Sequence, residues 1–137
     1  MATSARSRVG VRESVSLPAT SASVSAARAW LATCCSDLVA PDRLDALVLV
    51  LSEVVTNAIR HGDSAGDVVV AATPKDEFLC VQVTDGGVGF VPNPGAMASD
   101  SNGGFGLFLV ERLTRRWGMT REGRRTRVWF EFDYVAG

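Results

Sequence analysis

Three short stretches of the sequence combine residue types that can do chemistry. Glu53, Asn57 and His61 recur at every fourth position, so on a helix they form a column along one face. Asn offers a neutral carbonyl oxygen of the kind that suits Mg2+, an ion that keeps several waters and takes few protein ligands. A carboxylate one turn earlier can orient or deprotonate a water or hydroxyl that attacks a phosphate. A solvated helix face is the plainer reading of Glu and Asn alone. Ala46 and Val50 share the column, however, and an outward face would more often carry charge there.

The second stretch is Asp85-Gly86-Gly87-Val88-Gly89. A turn needs one or two glycines; three in five residues imply a backbone that approaches something closely or takes positive φ repeatedly. Asp85, closing an alternating run, is an acceptor well placed to read an exocyclic amine. The third stretch, Asn102-Gly103-Gly104-Phe105-Gly106-Leu107, opens a helix. A glycine-rich helix entry exposes unpaired N–H groups at the positive end of the helix dipole, which suits a phosphate. Neither the dinucleotide fingerprint nor the Walker signature is met, and the single lysine, Lys75, sits in a turn.

These stretches need elements to hold them. Val9–Leu17 alternates loosely and reads as one or two edge strands ending before Pro18. Ser23 reads as the N-cap of a helix to about Leu38, with Ala26, Ala27, Trp30, Leu31 and Cys34 as its buried stripe. Pro41-Asp42 opens a longer helix to His61, closed by Gly62. On it Leu44, Leu47, Val48, Leu51, Val55 and Ala58 fall within roughly 100° of arc. Asp67–Thr73 and Glu77–Thr84 read as a hairpin about Pro74-Lys75-Asp76. Gly86–Gly104 has almost no periodic apolar pattern, and a stretch of that length in a compact domain is usually a lid or binding loop. A helix at Phe105–Arg115 and strands at Trp117–Arg121 and Thr126–Tyr134 complete the chain. Grouped strands with three helices predict an α+β two-layer sandwich, its sheet covered by helices on one face.

Composition narrows the function classes. The chain has 137 residues, the size of a single domain, with 47% hydrophobic and 21% charged residues. Met1–Arg8 reads as a disordered start and 9–137 as one domain. Fourteen Lys and Arg against fifteen Asp and Glu leave a formal charge of −1, unlike a protein that coats nucleic acid. Cys34, Cys35 and Cys80 form no metal spacing, and with one histidine in the chain a Cys/His zinc site is not expected. No apolar leader core opens the chain, and its longest apolar run, Ala46–Leu51, is far below the roughly 18 residues of a membrane span. A cytoplasmic protein is expected. The cluster Arg112, Arg115, Arg116, Arg121, Arg124, Arg125 and Arg127 reads as a solvated face or a surface for an acidic protein, and Arg28 as an ordinary exposed helix arginine or a further partner contact.

The three stretches in this order resemble the motifs of the GHKL ATPase superfamily. Glu53–Gly62 resembles its N box, Asp85–Gly89 its G1 box and Gly104–Leu107 its G2 box. Within the superfamily, "LSEVVTNAIRHG" and "ARAWL" are similar to the RsbW/SpoIIAB-like anti-sigma-factor serine/threonine kinases. The resemblance implies a Bergerat-type ATP-binding fold with a mixed sheet. It further implies that Asp85 bonds the adenine amino group, with Gly87 and Gly89 permitting close approach and Thr126 in support. Asn57 would ligate Mg2+, Glu53 would act as general base, and Gly104, Phe105, Gly106 and Leu107 would form the phosphate cradle. Arg60 and His61, within the N box, would belong to the nucleotide site. The implied partners are an anti-anti-sigma (STAS) protein as phosphate acceptor and a bacterial sigma factor, with a possible homodimer. One departure is that Phe90–Leu107 contains no Lys or Arg, where related proteins often place a basic residue facing the phosphates. That keeps a second reading open: a catalytically weak module whose partner binding is set by ATP or ADP.

Overall fold

Alternating burial sets the two faces of one sheet. β1 (Glu13–Leu17), β2 (Val68–Pro74), β3 (Phe78–Asp85), β4 (Arg116–Glu122) and β5 (Arg125–Asp133) lie in the order β1-β2-β3-β5-β4. The computed structural model describes residues 9–61, 66–85, 105–123 and 125–135. The expected tail Met1–Arg8, the closing Gly62 and the loop Gly86–Gly104 lie outside the described residues.

Every pairing among the described strands is antiparallel, which corrects the expected mixed sheet. The reason lies in the chain path. β3 and β4 run the same way, as a crossover between them requires, but β5 folds back and inserts between the two. No parallel pair is left.

Three helices, α1 (Ala22–Cys35), α2 (Pro41–His61) and α3 (Phe105–Leu113), pack on one face. In β3 the inward residues are Leu79, Val81 and Val83; in β5 they are Val128, Phe130 and Phe132. They meet Leu31 of α1 and Leu47, Val50, Leu51, Val54 and Val55 of α2 in a single core. Burying each of these large side chains contributes about 1.5–3 kcal/mol, so the core fixes which sheet face turns inward.

Two local expectations for α1 are corrected. The N-cap is Ser21, without a side-chain cap bond, and Ser23 lies inside the helix. There its buried hydroxyl donates to the Pro18 carbonyl at 2.5 Å, so the serine ties the helix to the turn before it. Ala26 is exposed, and Ser23, Ala27, Leu31, Cys34 and Cys35 form the inward stripe instead. The helix also stops at Cys35 rather than Leu38, because both Leu38 N and Val39 N turn back onto the Cys35 carbonyl. Pro41, which disfavours helical backbone in the residue before it, then restarts the chain as α2.

Helix α2 is buried over a wider arc than its Leu/Val stripe predicts. Leu47, Leu51, Val55 and Ala58 are inside as expected, but so are Val50, Val54 and Asn57. α1 packs against one flank of α2 and α3 against the other. The column of Glu53 and Asn57 is therefore partly covered, and the solvated-face reading fails at Asn57. None of the three cysteines forms a disulfide. Among the described residues no helix is long and apolar enough to cross a membrane, and no group of three or more His, Cys, Asp or Glu side chains is placed to hold a metal ion.

Candidate nucleotide site

Chain direction alone brings Asn57, Asp85 and the first turn of α3 to one end of the sandwich. Only residues 62–67 separate the end of α2 from β2, so Asn57, one turn before that end, lies near the start of β2. β2 pairs antiparallel with β3, with Val69 opposite Thr84, which places Asp85 at the same end. α3 finishes beside the opposite end, where Arg115 N donates to the Glu131 carbonyl at 2.9 Å. The first turn of α3, and with it the positive end of its dipole, is thus directed toward the Asp85 end.

Asp85 and Thr126 are direct register partners across β3 and β5. Residues opposite each other in an antiparallel pair have Cβ atoms about 4.5–5.5 Å apart on the same face. Here that face is the inward one, for the pair continues the rows Val83–Val128 and Val81–Phe130. Where the apolar rows end, the sequence places a carboxylate and a hydroxyl. Asp85 is 3% exposed and Thr126 1%.

Asn57, Asp85 and Thr126 are three of the four buried polar residues among the described ones, the fourth being Ser23. Ser23 is accounted for by its bond to Pro18. Asn57 Nδ2 and Thr126 Oγ1, by contrast, have no hydrogen-bond partner among the described residues. A buried polar atom left without a partner costs about 1–3 kcal/mol, so a fold that keeps two of them at one end has a reason outside its own packing. The orphaned donors suit acceptor atoms of a ligand. Turned about its amide axis, Asn57 presents its carbonyl oxygen instead, the ligand type Mg2+ takes. The residues present therefore fit a nucleotide with its metal.

Glu53 stands apart from this buried group. It is half-buried and lines a surface groove between α1 and α2, with a volume of about 440 Å³, together with Arg28, Asp45, Val48, Leu49 and Ser52. Arg60 is exposed. His61 is the last residue of α2, and Phe105, Gly106 and Leu107 form the first turn of α3; their side chains are outside the description. Gly87, Gly89 and Gly104 lie outside the described residues altogether. The groove was not legible in the sequence. Leu49, 43% exposed within it, falls off the apolar stripe and looks like an ordinary surface leucine, and only the packing of α1 makes a groove of that face.

The arginine cluster divides into separate tasks. Arg116 donates from Nε and Nη2 to the two carboxylate oxygens of Glu131 at 3.1 and 3.0 Å, and this bond holds the Glu131 carboxyl below its usual range. Arg115 pairs with Asp133 at 3.2 Å and lies 4.5 Å over the Phe78 ring. Arg112 lies 5.3 Å over the ring of Phe108. These three pin strand ends and helix surface.

A two-layer antiparallel sandwich whose inward face ends in an Asp–Thr pair, flanked by a buried Asn and a helix N-terminus, is the architecture of an ATP-binding domain of the histidine kinase type. The chain belongs to the histidine kinase-like ATPase domain family, which it matches over residues 17–132. Among solved structures it is similar in fold to the RsbU and RsbW domains of Rv1364c from Mycobacterium tuberculosis. The TM-score is 0.68 at 23% identity, over 89% of this chain and 32% of that one. The chain thus spans about a third of that solved chain. No curated protein matches it.

Proposed function

We propose that the chain binds ATP at the Asp85 end of the sandwich and acts as a regulatory protein serine/threonine kinase that also holds a sigma factor. The observation that carries the binding reading is the set of buried polar side chains there: Asn57 and Thr126 with orphaned atoms, and Asp85 beside Thr126. Asp85 accepts from the adenine amino group, and Thr126 supplies the neighbouring hydroxyl. Asn57 binds the metal, while Arg60 and His61 border the phosphates. Gly87, Gly89, Gly104, Phe105, Gly106 and Leu107 are assigned to the nucleotide by their motif positions.

Bound Mg2+ supplies positive charge against the phosphates. Glu53 lies one turn, roughly 6 Å along the axis, before Asn57, and opens onto the α1–α2 groove. In this reading it orients an incoming serine or threonine hydroxyl and takes its proton at a carboxylate oxygen. The acceptor is a STAS-type anti-anti-sigma protein. A homodimer, a cytoplasmic setting and a role in transcription regulation belong to the same reading.

The absence of Lys and Arg from Phe90–Leu107 favours a second reading, in which ATP or ADP only sets the shape that binds a partner. Incubation with labelled ATP and a cognate STAS protein separates the two. The kinase reading expects label on the acceptor, lost in Glu53→Gln while ATP still binds; nucleotide bound with no transfer by the native chain leaves only the second.

A further inference from the structure

The groove between α1 and α2 holds opposite charges that do not pair. Asp45, Leu49 and Glu53 follow one another at every fourth position of α2, about 6 Å per step along the helix axis. They form a line along one wall, with a carboxylate at each end and an aliphatic side chain between. Arg28 of α1 stands on the other wall. Among the described residues neither carboxylate makes an ion pair with Arg28 or with any other cation. Val48 and Ser52 also line the groove but are half-buried, and the Ser52 hydroxyl already donates to the Val48 carbonyl at 2.8 Å. Leu49 is the one exposed leucine among the described side chains.

We propose that this line reads the acceptor on one side of its phosphorylated serine or threonine, taking an aliphatic side chain two residues from that hydroxyl and a lysine or arginine four residues from it. The proposal rests on the kinase reading, in which the hydroxyl meets Glu53. An extended segment advances about 6.6–6.8 Å over two residues, close to the step of about 6 Å on α2, and its alternate side chains point the same way. With the hydroxyl at Glu53, the next side chain on that face meets Leu49 and the one after it meets Asp45. Over both steps the two spacings drift apart by only about 1.5 Å, within reach of a long lysine or arginine.

An extended segment suits the groove better than a helix. Packed helices lie about 8–10 Å apart, so a third helix, about 10–12 Å across, rides on the rim while a single strand enters. Arg28 on the far wall offers several donors to the carbonyls of such a segment, whose backbone meets no other strand there. Asp45 is a carboxylate without a cation until the lysine or arginine arrives, so the pair forms only on binding. Leu49 likewise loses its water only when the aliphatic side chain covers it.

The test uses the full chain with Mg2+ and ADP, and the fluorescein-labelled peptide Arg-Gln-Leu-Gln-Ser-Gln-Leu-Gln-Arg, which carries the pattern in both chain directions. Control peptides replace both Arg by Glu, or both Leu by Ser, and anisotropy at low salt follows binding. The first peptide binds about fivefold more tightly than the Glu control and about tenfold more tightly than the Ser control. Asp45→Arg reverses the charge preference and Leu49→Ser removes the preference for leucine, while circular dichroism and ATP affinity stay native. Equal binding of the three peptides, no binding of the first, or an Asp45→Arg chain that keeps the native preference overturns the proposal. A dimer in solution that Leu49→Ser converts to monomer also overturns it, in favour of self-association. Label transfer from ATP to the STAS protein with no peptide preference overturns the groove assignment alone. Peptide preference with no transfer to any acceptor overturns the kinase reading, and the pattern is then that of a bound segment rather than an acceptor.

Discussion

Thr126→Val separates stability from ligand binding at a single atom. Thr126 is 1% exposed and its hydroxyl has no partner among the described residues, so the free protein carries an unsatisfied buried group worth about 1–3 kcal/mol. Valine keeps the β-branched shape and removes that oxygen. Without nucleotide the variant should therefore gain about 1 kcal/mol, which for a domain of this length raises Tm by about 3–5 °C. ATP affinity moves the other way, because losing one hydrogen bond of about 1 kcal/mol weakens ATP about fivefold. Urea unfolding of the free protein gives the first number and calorimetric titration with ATP the second. A variant that is less stable when free, or that binds ATP as tightly as the native chain, refutes the reasoning that the hydroxyl is kept for a ligand.

Three further outcomes test other parts of the account. Asn57→Ala should abolish Mg-ATP binding with circular dichroism unchanged; native affinity in a titration refutes the metal role. Gly118→Ala should push the Trp129 indole off β4, where it would meet the new Cβ at 2.6 Å, and lower stability by about 1–3 kcal/mol in urea; no change means that the ring moves aside freely. Tyr134 is the only tyrosine, and burial pushes its hydroxyl, which donates to the Lys75 carbonyl, from 10.0 up to about 12. The fold favours its neutral form, so that stabilisation is full below pH 10.0 and is lost as pH rises through about 12. Tyrosinate absorbance should then titrate later in the native chain than in urea; coincident curves contradict the burial.

Strand pairing and helix placement were legible where a period was clean. β3 alternates without a break, and α2 opens at Pro41-Asp42, so both lie where the pattern puts them. The start of α1 is not legible in one dimension, where Ser23 looks like a cap although its hydroxyl serves Pro18. Sheet direction was not legible locally, since the insertion of β5 between β3 and β4 depends on how the last hairpin folds back. At the site, Asp85 and Asn57 stood out by residue type and spacing. The burial of Asn57 did not, because it needs α1 and α3 on either flank of α2.

The most direct test of the central claim is a calorimetric titration of the native chain, in Mg2+, with ATP and separately with GTP. A buried carboxylate at the end of β3, beside Thr126, accepts from the amino group of adenine and repels the carbonyl that guanine carries at that position. The account predicts saturable binding of ATP, much weaker binding of GTP, and loss of that preference in Asp85→Ala. A folded chain that binds neither nucleotide, or binds both alike, contradicts it.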